Sequence, residues 1–193
     1  MAVVNKKEFE KIRKILDNES SEREKVIKIS REIRRSSKKS IYEVQKNNFR
    51  KAKKYIDDTG KKVKEVNKII KKHPSVSGSA NPGLEEYSEA VLFYNYVKNN
   101  KIVSFKDINV DEKNYLSGMA DFTGELVREA TQKAIENNTK KMKEIRKTVD
   151  SIFEQFLQFD FENGILRKKR DSIKWNLKRL QEMEYDLEIK KKK

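Results

Sequence analysis

Apolar residues recur along this chain at steps of three and four, the spacing of one buried helix face. Phe9, Ile12, Ile15, Leu16, Val26, Ile29, Ile33, Ile41 and Val44 form the first such stripe, with Ser37 filling its gap. It predicts one long helix over 5–47, or two nearly continuous ones, with Asn18-Glu19-Ser20-Ser21 as a cap or local bend. Phe49, Ala52, Tyr55, Ile56, Val63, Val66, Ile69 and Ile70 predict a second helix over 48–72, which Asp58-Thr59-Gly60 could interrupt. Both prolines fall in 73–83, the one clear loop. Asn81 then Pro82 reads as a helix start, a side-chain cap followed by proline at the first helical position. The helix that follows runs to about Asn100 and is apolar on nearly every side, so it should be buried. A connector over 102–110 carries a helical turn at 105–108, and Asp111 caps a central helix ending near Asn137. Thr139 caps the next, striped by Met142, Ile145, Val149, Ile152, Phe153 and Phe156. Asn163-Gly164 turns the chain into a last helix from Ile165 to about Ile189. The fold class is therefore all-α, a single domain over 1–193 built as a bundle of about seven helices. It divides into basic N-terminal helices (1–72), the loop (73–83), a bundle (84–189) and a frayed basic tail (190–193).

Charge sharpens the picture. Hydrophobic residues make up 35% of the chain and charged residues 40%, near the disordered range, but the periodicity points to long amphipathic helices instead. Lys and Arg total 46 against 31 Asp and Glu, a net charge of +15, which calls for a polyanionic partner: nucleic acid or an anionic membrane. No apolar run is long enough for a membrane span and no signal peptide is evident, so a cytoplasmic location is expected. With no cysteine there is no disulfide and no thiolate metal site. The single histidine, His73, excludes a two-histidine ribonuclease mechanism within one subunit. Neither a phosphate-binding glycine loop nor a nucleophile elbow is present.

Against this basic background two stretches are acidic. Nothing basic lies between Lys113 and Arg128, and in that gap Asp121 and Glu125 share a helix face at i,i+4. Gly118 and Gly124 flank them; glycine costs a helix interior about 0.8–1.0 kcal/mol against alanine, so another backbone should approach closely there. Glu85, Glu86 and Glu89 likewise precede the first basic residue of their helix, Lys98. The plain reading is a set of solvated or paired acids, with Glu125 reaching Arg128 at i+3 and Glu129 reaching Lys133 at i+4. Carboxylates opposed across two helices would instead need a cation between them. Phosphodiester cleavage by this residue set requires carboxylate-bound hard cations, Mg²⁺ or Mn²⁺. Along the first helix Lys28, Arg31, Arg35 and Lys38 line one face with Arg34 and Lys39 beside it, either a solvated surface or a phosphate-binding one that the Ser30, Ser36 and Ser37 hydroxyls could join. Trp175 is spaced with Ile173, Leu177 and Leu180, as a core or interface residue more often than a base-stacking one.

Two motifs, E-Y-S-E-A-V-L-F (86–93) and Y-L-S-G-M-A-D-F-T-G-E-L-V-R (115–128), resemble the translin family. The similarity extends to 22–42 and 166–187. The resemblance implies an all-helical fold, a closed homo-oligomer, an octamer, and binding of single-stranded RNA and DNA. Chains of the translin-associated protein X type are Mg-dependent endoribonucleases, and their metal-binding acids fall here on Glu86, Glu89, Asp121 and Glu125. Translin-type chains lack the equivalent of Asp121, whereas the C-terminal run of this chain reads closer to translin, suggesting one subunit type that does both jobs. The expectation is a single-stranded RNA- and DNA-binding, Mg-dependent endoribonuclease, with Lys28, Arg31, Arg34, Arg35 and Lys38 as nucleic-acid contacts. The alternatives are a non-catalytic single-stranded nucleic-acid-binding scaffold and a basic helical adaptor for acidic proteins or membranes.

Overall fold

A computed structural model describes residues 5–162 and 164–191, the side chains of 190 and 191 excepted. The helices are α1 (Lys6–Gln45), α2 (Phe49–Lys72), α3 (Asn81–Asn99), the single turn α4 (Phe105–Ile108), α5 (Glu112–Ile135), α6 (Thr139–Leu157) and α7 (Ile165–Lys191). A 3-10 helix, Pro74–Ala80, joins α2 to α3. The order α1 against α2 and α3, α3 against α5, and α5 against α6 and α7 makes one bundle whose central seam is the α3–α5 contact. Among the described residues there is no strand. The expected Asn163 turn and the tail end 192–193 lie outside the described residues.

α1 is unbroken. It holds neither glycine nor proline, Asn5 caps it by accepting from the Glu8 amide, and Glu19 leaves the helix geometry alone to accept from Ser75 Oγ at 3.0 Å. α2 likewise runs through Asp58-Thr59-Gly60, because buried Thr59 returns its hydroxyl to the Tyr55 carbonyl one turn back (2.6 Å). The 73–83 loop is mostly the 3-10 helix, which leads straight into α3. Asn81 is therefore already helical (φ −48°, ψ −49°) rather than a side-chain cap, and its Oδ1 accepts from Asn114 Nδ2 of α5 at 3.1 Å. At α6 the cap is Asn138, accepting from the Lys141 amide, and not Thr139. Asp111 caps α5 as expected. The chain reverses after α1, α3, α4 and α5 on Asn47, Asn100, Asn109 and Asn137, each with φ between 53° and 59°, the left-handed conformation that asparagine tolerates best after glycine.

Phe93 and Leu92 of α3 and Phe122 and Leu126 of α5 are fully buried, with Tyr96 edge-on to Phe122 at 5.7 Å. The α1 stripe is buried only from Val26 onward; Phe9, Ile12, Ile15 and Leu16 are exposed. Forty residues of helix span about 60 Å and the 24 of α2 about 36 Å, so α1 outruns the helix it packs on.

At the central seam Gly118 carries the close approach. A Cβ there would lie 2.5 Å from Ser88 Cβ and 2.6 Å from the Glu85 carbonyl oxygen, so any side chain would force α3 and α5 apart. Gly124 meets only Asn176 Nδ2, at 3.7 Å, and is not needed for contact. The two glycines are thus expected to differ in sign. Gly118→Ala should destabilise by about 3 kcal/mol through overpacking, whereas Gly124→Ala should be neutral or stabilising by up to about 1 kcal/mol. Urea denaturation of both variants measures the difference; equal effects would mean that the seam does not depend on Gly118.

Candidate acidic site and its ring of cations

The close crossing places Glu86 and Glu89 of α3 beside Asp121 and Glu125 of α5. Glu86, Glu89 and Glu125 floor a cleft of about 290 Å³ walled by Lys38, Ile41, Tyr42 and Gln45 of α1 and by Arg128. Asp121 sits on the α7 side of the same cluster. All four charges act on one another. Burial, then repulsion from Glu86, Asp121 and Glu125, pushes the Glu89 carboxyl up to about 8, with Lys169 offsetting part of the rise. Glu86 is raised too, by burial first, against the pull of Lys38 and Arg34.

Three of the four carboxylates have partners, each drawn in its own direction. Glu86 lies 3.7 Å from Arg34 Nε and 3.8 Å from Lys38 Nζ, both from α1. Glu125 accepts from Gln45 Nε2 at 2.6 Å and lies 3.8 Å from Arg128 Nε, the i+3 pair expected from the sequence; Glu129 and Lys133 form the other, at 3.4 Å. Arg128 in turn donates to Gln45 Oε1. Asp121 Oδ2 lies 2.5 Å from Lys169 Nζ of α7, which also reaches Glu85 at 3.8 Å. Of the four, Glu89 alone has neither a hydrogen bond nor an ion pair with any described residue; Glu86 has ion pairs only. Among the described residues no three His, Asp or Glu side chains enclose an ion-sized site. The donor set, carboxylate oxygens only, is nevertheless the kind that Mg²⁺ and Mn²⁺ take, and Glu89 is a partly buried carboxyl with no donor of its own. The residues fit such an ion in chemistry, and the cations now hold three of them.

The basic α1 face divides. Lys28, Arg31, Arg34, Arg35 and Lys38 are all exposed, but only Arg34 and Lys38 reach the acids. Lys28 shares a groove between α1 and α2 with Glu32, Lys62 and Glu65, so it belongs to a different surface. Two of the three serines expected to join phosphate binding are packing residues. Ser30 Oγ donates to the Ala80 carbonyl and accepts from the Gly83 amide, and Ser37 is buried with no partner among the described residues. Trp175 is 64% exposed with Lys178 Nζ 5.5 Å above its ring, which overturns the core assignment; its neighbour Asn176 faces inward and bonds Thr123. Gln45 and Tyr42 were not singled out from sequence. The i+7 step from Lys38 to Gln45 could have found the first. Nothing in the run 167–170 distinguishes Lys169 from its neighbours.

The raised Glu89 carboxyl makes a prediction about pH. Folded Glu89 keeps its proton up to about pH 8 whereas the unfolded chain releases it near 4.5, so the folded state binds more protons between those values. In metal-free buffer this contribution to stability is therefore expected to decline as pH rises from about 4.5 to about 8 and then level off. Glu89→Gln should lose that dependence and be more stable than wild type at pH 8 and above. Denaturation midpoints of the two proteins across that range are the measurement; parallel curves would contradict the assignment.

The chain has relatives among known proteins. The translin family profile matches residues 21–191. An uncharacterised protein of Methanocaldococcus jannaschii is 31% identical over 160 residues, covering 81% of this chain and 72% of that one. The translin-associated protein X homolog of Schizosaccharomyces pombe is 29% identical over 137 residues, which is 63% of this chain and 59% of its own length. Among solved structures, the AfC3PO–duplex RNA complex superposes with a TM-score of 0.84 at 26% identity, covering 94% of this chain and 97% of that one. The profile match spans α2 to α7 and α1 from residue 21 onward, acid-bearing helices included, and on that extent the chain belongs to the translin family.

Proposed function

We propose that the protein binds RNA and cleaves it as a divalent-metal-dependent endoribonuclease, with Glu86, Glu89, Asp121 and Glu125 as its metal-binding and catalytic acids. The observation that carries this reading is Glu89, a desolvated carboxyl without a donor among three others, facing a cleft whose rim is cationic. Mg²⁺ or Mn²⁺ held by these acids supplies an activated water and neutralises charge on the scissile phosphate. The chain's own residues do the rest. Arg34, Lys38 and Arg128 stand at the rim, exposed, where they can exchange a carboxylate for a backbone phosphate. Arg31 extends that positive surface along α1, Arg35 stands on its flank near Glu32, and both help to steer the polyanion toward it. The exposed Tyr42 ring on the same wall, with Lys46 Nζ 4.3 Å from its centroid, offers a face on which a base can stack. Single-stranded RNA, with single-stranded DNA as a further ligand, is the favoured partner; the duplex RNA named in the AfC3PO complex makes duplex the form to compare.

The protein is further proposed to be a cytoplasmic homo-oligomer, an octamer. Its support is the apolar surface that one copy leaves uncovered: Phe9, Ile12, Ile15 and Leu16 on α1, with Trp175 and Tyr185 on α7. α3, apolar on nearly every side, is buried within the subunit as expected and adds nothing to that surface. No helix among the described residues is long and apolar enough to cross a membrane.

One observation favours a non-catalytic binding scaffold instead: three of the four acids are already neutralised by the chain's own side chains. Labelled single-stranded RNA incubated with Mg²⁺ or with EDTA separates the two. Wild type is expected to cut only with Mg²⁺, and Glu89→Gln and Asp121→Asn to abolish cutting. Asp121→Asn should bind RNA as well or better, since it removes a negative charge near bound phosphate, and Glu89→Gln about as well, since the metal-free Glu89 carboxyl already holds its proton. Binding without cleavage under any divalent ion would hand the protein to the scaffold reading, and cleavage surviving in both variants would move the catalyst elsewhere. Replacing Arg31, Arg34 and Arg35 by Ala should lower the log–log salt slope of RNA binding by about 0.7 for each phosphate that the variant no longer neutralises. An unchanged slope would make that face a merely solvated one.

A further inference from the structure

We propose that Lys169 is a tethered counter-ion of the acidic site, whose release from Asp121 couples divalent-ion binding to RNA binding. The inference rests on the reading of the acids as a metal site. Among the cations around the cluster Lys169 stands apart. Arg34, Lys38 and Arg128 are 56–66% exposed and pair at 3.7–3.8 Å. Lys169 is 21% exposed, and its Nζ lies 2.5 Å from Asp121 Oδ2 and 3.8 Å from Glu85 Oε2, linking α7 to both acid-bearing helices. Its charge also reaches Glu89, where it offsets part of the repulsion from the other three acids.

An ammonium hydrogen-bonded to Asp121 Oδ2 and a divalent ion bound directly to that oxygen exclude each other. Metal entry therefore requires Lys169 to withdraw. Withdrawal leaves an ammonium in a partly desolvated position without its anion, which is costly unless another anion takes it. A phosphate of RNA entering beside the site is such an anion. A lysine suits the exchange, because its compact charge rides on a flexible four-carbon stem with three rotatable donors. The helix itself need not move: Asn176, two turns further along α7, is bonded to Thr123 of α5 at 2.9 Å and anchors the backbone. Metal then takes Asp121 while RNA takes Lys169, and each ligand strengthens the other by the same factor.

The test is Mn²⁺ affinity, measured by electron paramagnetic resonance titration of the full chain. Titrations run with and without a 2′-O-methyl RNA oligonucleotide that electrophoresis shows to be intact afterwards. In wild type the oligonucleotide should tighten Mn²⁺ binding by about fivefold or more, the lower end of usual coupling factors. Lys169→Met should bind Mn²⁺ tighter than wild type without RNA, by a similar factor, and gain little more when RNA is added. Lys169→Gln keeps a donor for Asp121 and drops only the charge; it should behave the same way and serves if the Met variant does not fold. Lys168→Met removes the same net charge from an exposed neighbour and should behave as wild type. Coupling that persists in the Lys169 variants, or is lost equally in Lys168→Met, would overturn the role of Lys169 while leaving the metal site intact. Mn²⁺ binding that is equal in wild type and Asp121→Asn would overturn the metal site, and the coupling with it.

Discussion

Like charges crowded at one close helix crossing are the constraint on which the rest of this structure depends. Gly118 lets α5 press against Ser88 and the Glu85 carbonyl of α3, and that contact brings four carboxylates together, Glu86, Glu89 and Glu125 largely shielded from water and Asp121 at the edge. Desolvated carboxylates of one sign cannot all stay ionised without compensation. The chain compensates in two ways. Cations are supplied from three helices: Arg34 and Lys38 from α1, Arg128 from α5 and Lys169 from α7. The acid with no cation, Glu89, holds its proton instead.

The same constraint connects the acidic cluster to the basic exterior. A chain of net charge +15 attracts a polyanion to its surface over several ångströms, whereas the ionised acids of the cluster, Glu86 and Glu125 on the cleft floor and Asp121 beside it, repel it at contact. The rim cations can serve both, since an exposed Arg or Lys loses little by trading a carboxylate for a phosphate. On the proposed reading, divalent ions bound by these acids would reverse the sign of the floor. Metal and RNA would then relieve the repulsions that each would meet alone, and a single cleft would hold both a binding surface and a reaction centre.

Much of this was legible in the sequence, for identifiable reasons. Helix periodicity is strong in a chain this amphipathic, and it located the six long helices, the α4 turn and the Asp111 cap. The acid spacing marked Glu85, Glu86 and Glu89 on one helix and Asp121 and Glu125 on another, the translin resemblance picked the four that the structure brings together, and the glycine cost marked both Gly118 and Gly124. Local signals failed where tertiary contact decides. Asn81 has the look of a cap, but a 3-10 helix continues into α3 and its side chain serves Asn114 instead. Gly124 and Gly118 are indistinguishable in sequence, and only the position of α3 separates them. Phe9 to Leu16 carries a faultless stripe with nothing in the subunit to cover it, because periodicity cannot report where a partner helix ends. Which of four consecutive basic residues meets Asp121 depends on the rotation of α7, set by Ile173, Leu177 and Leu180 in the core and by Asn176 on Thr123.

The central claim is that a divalent ion takes the place of the chain's own cations among these carboxylates. Anomalous diffraction from crystals grown with Mn²⁺ tests it most directly. The expected result is a peak bounded by oxygens of Glu86, Glu89, Asp121 and Glu125, with Lys169 Nζ withdrawn from Asp121. A map with no anomalous peak at the site, and Lys169 still bonded to Asp121 at saturating Mn²⁺, would contradict it.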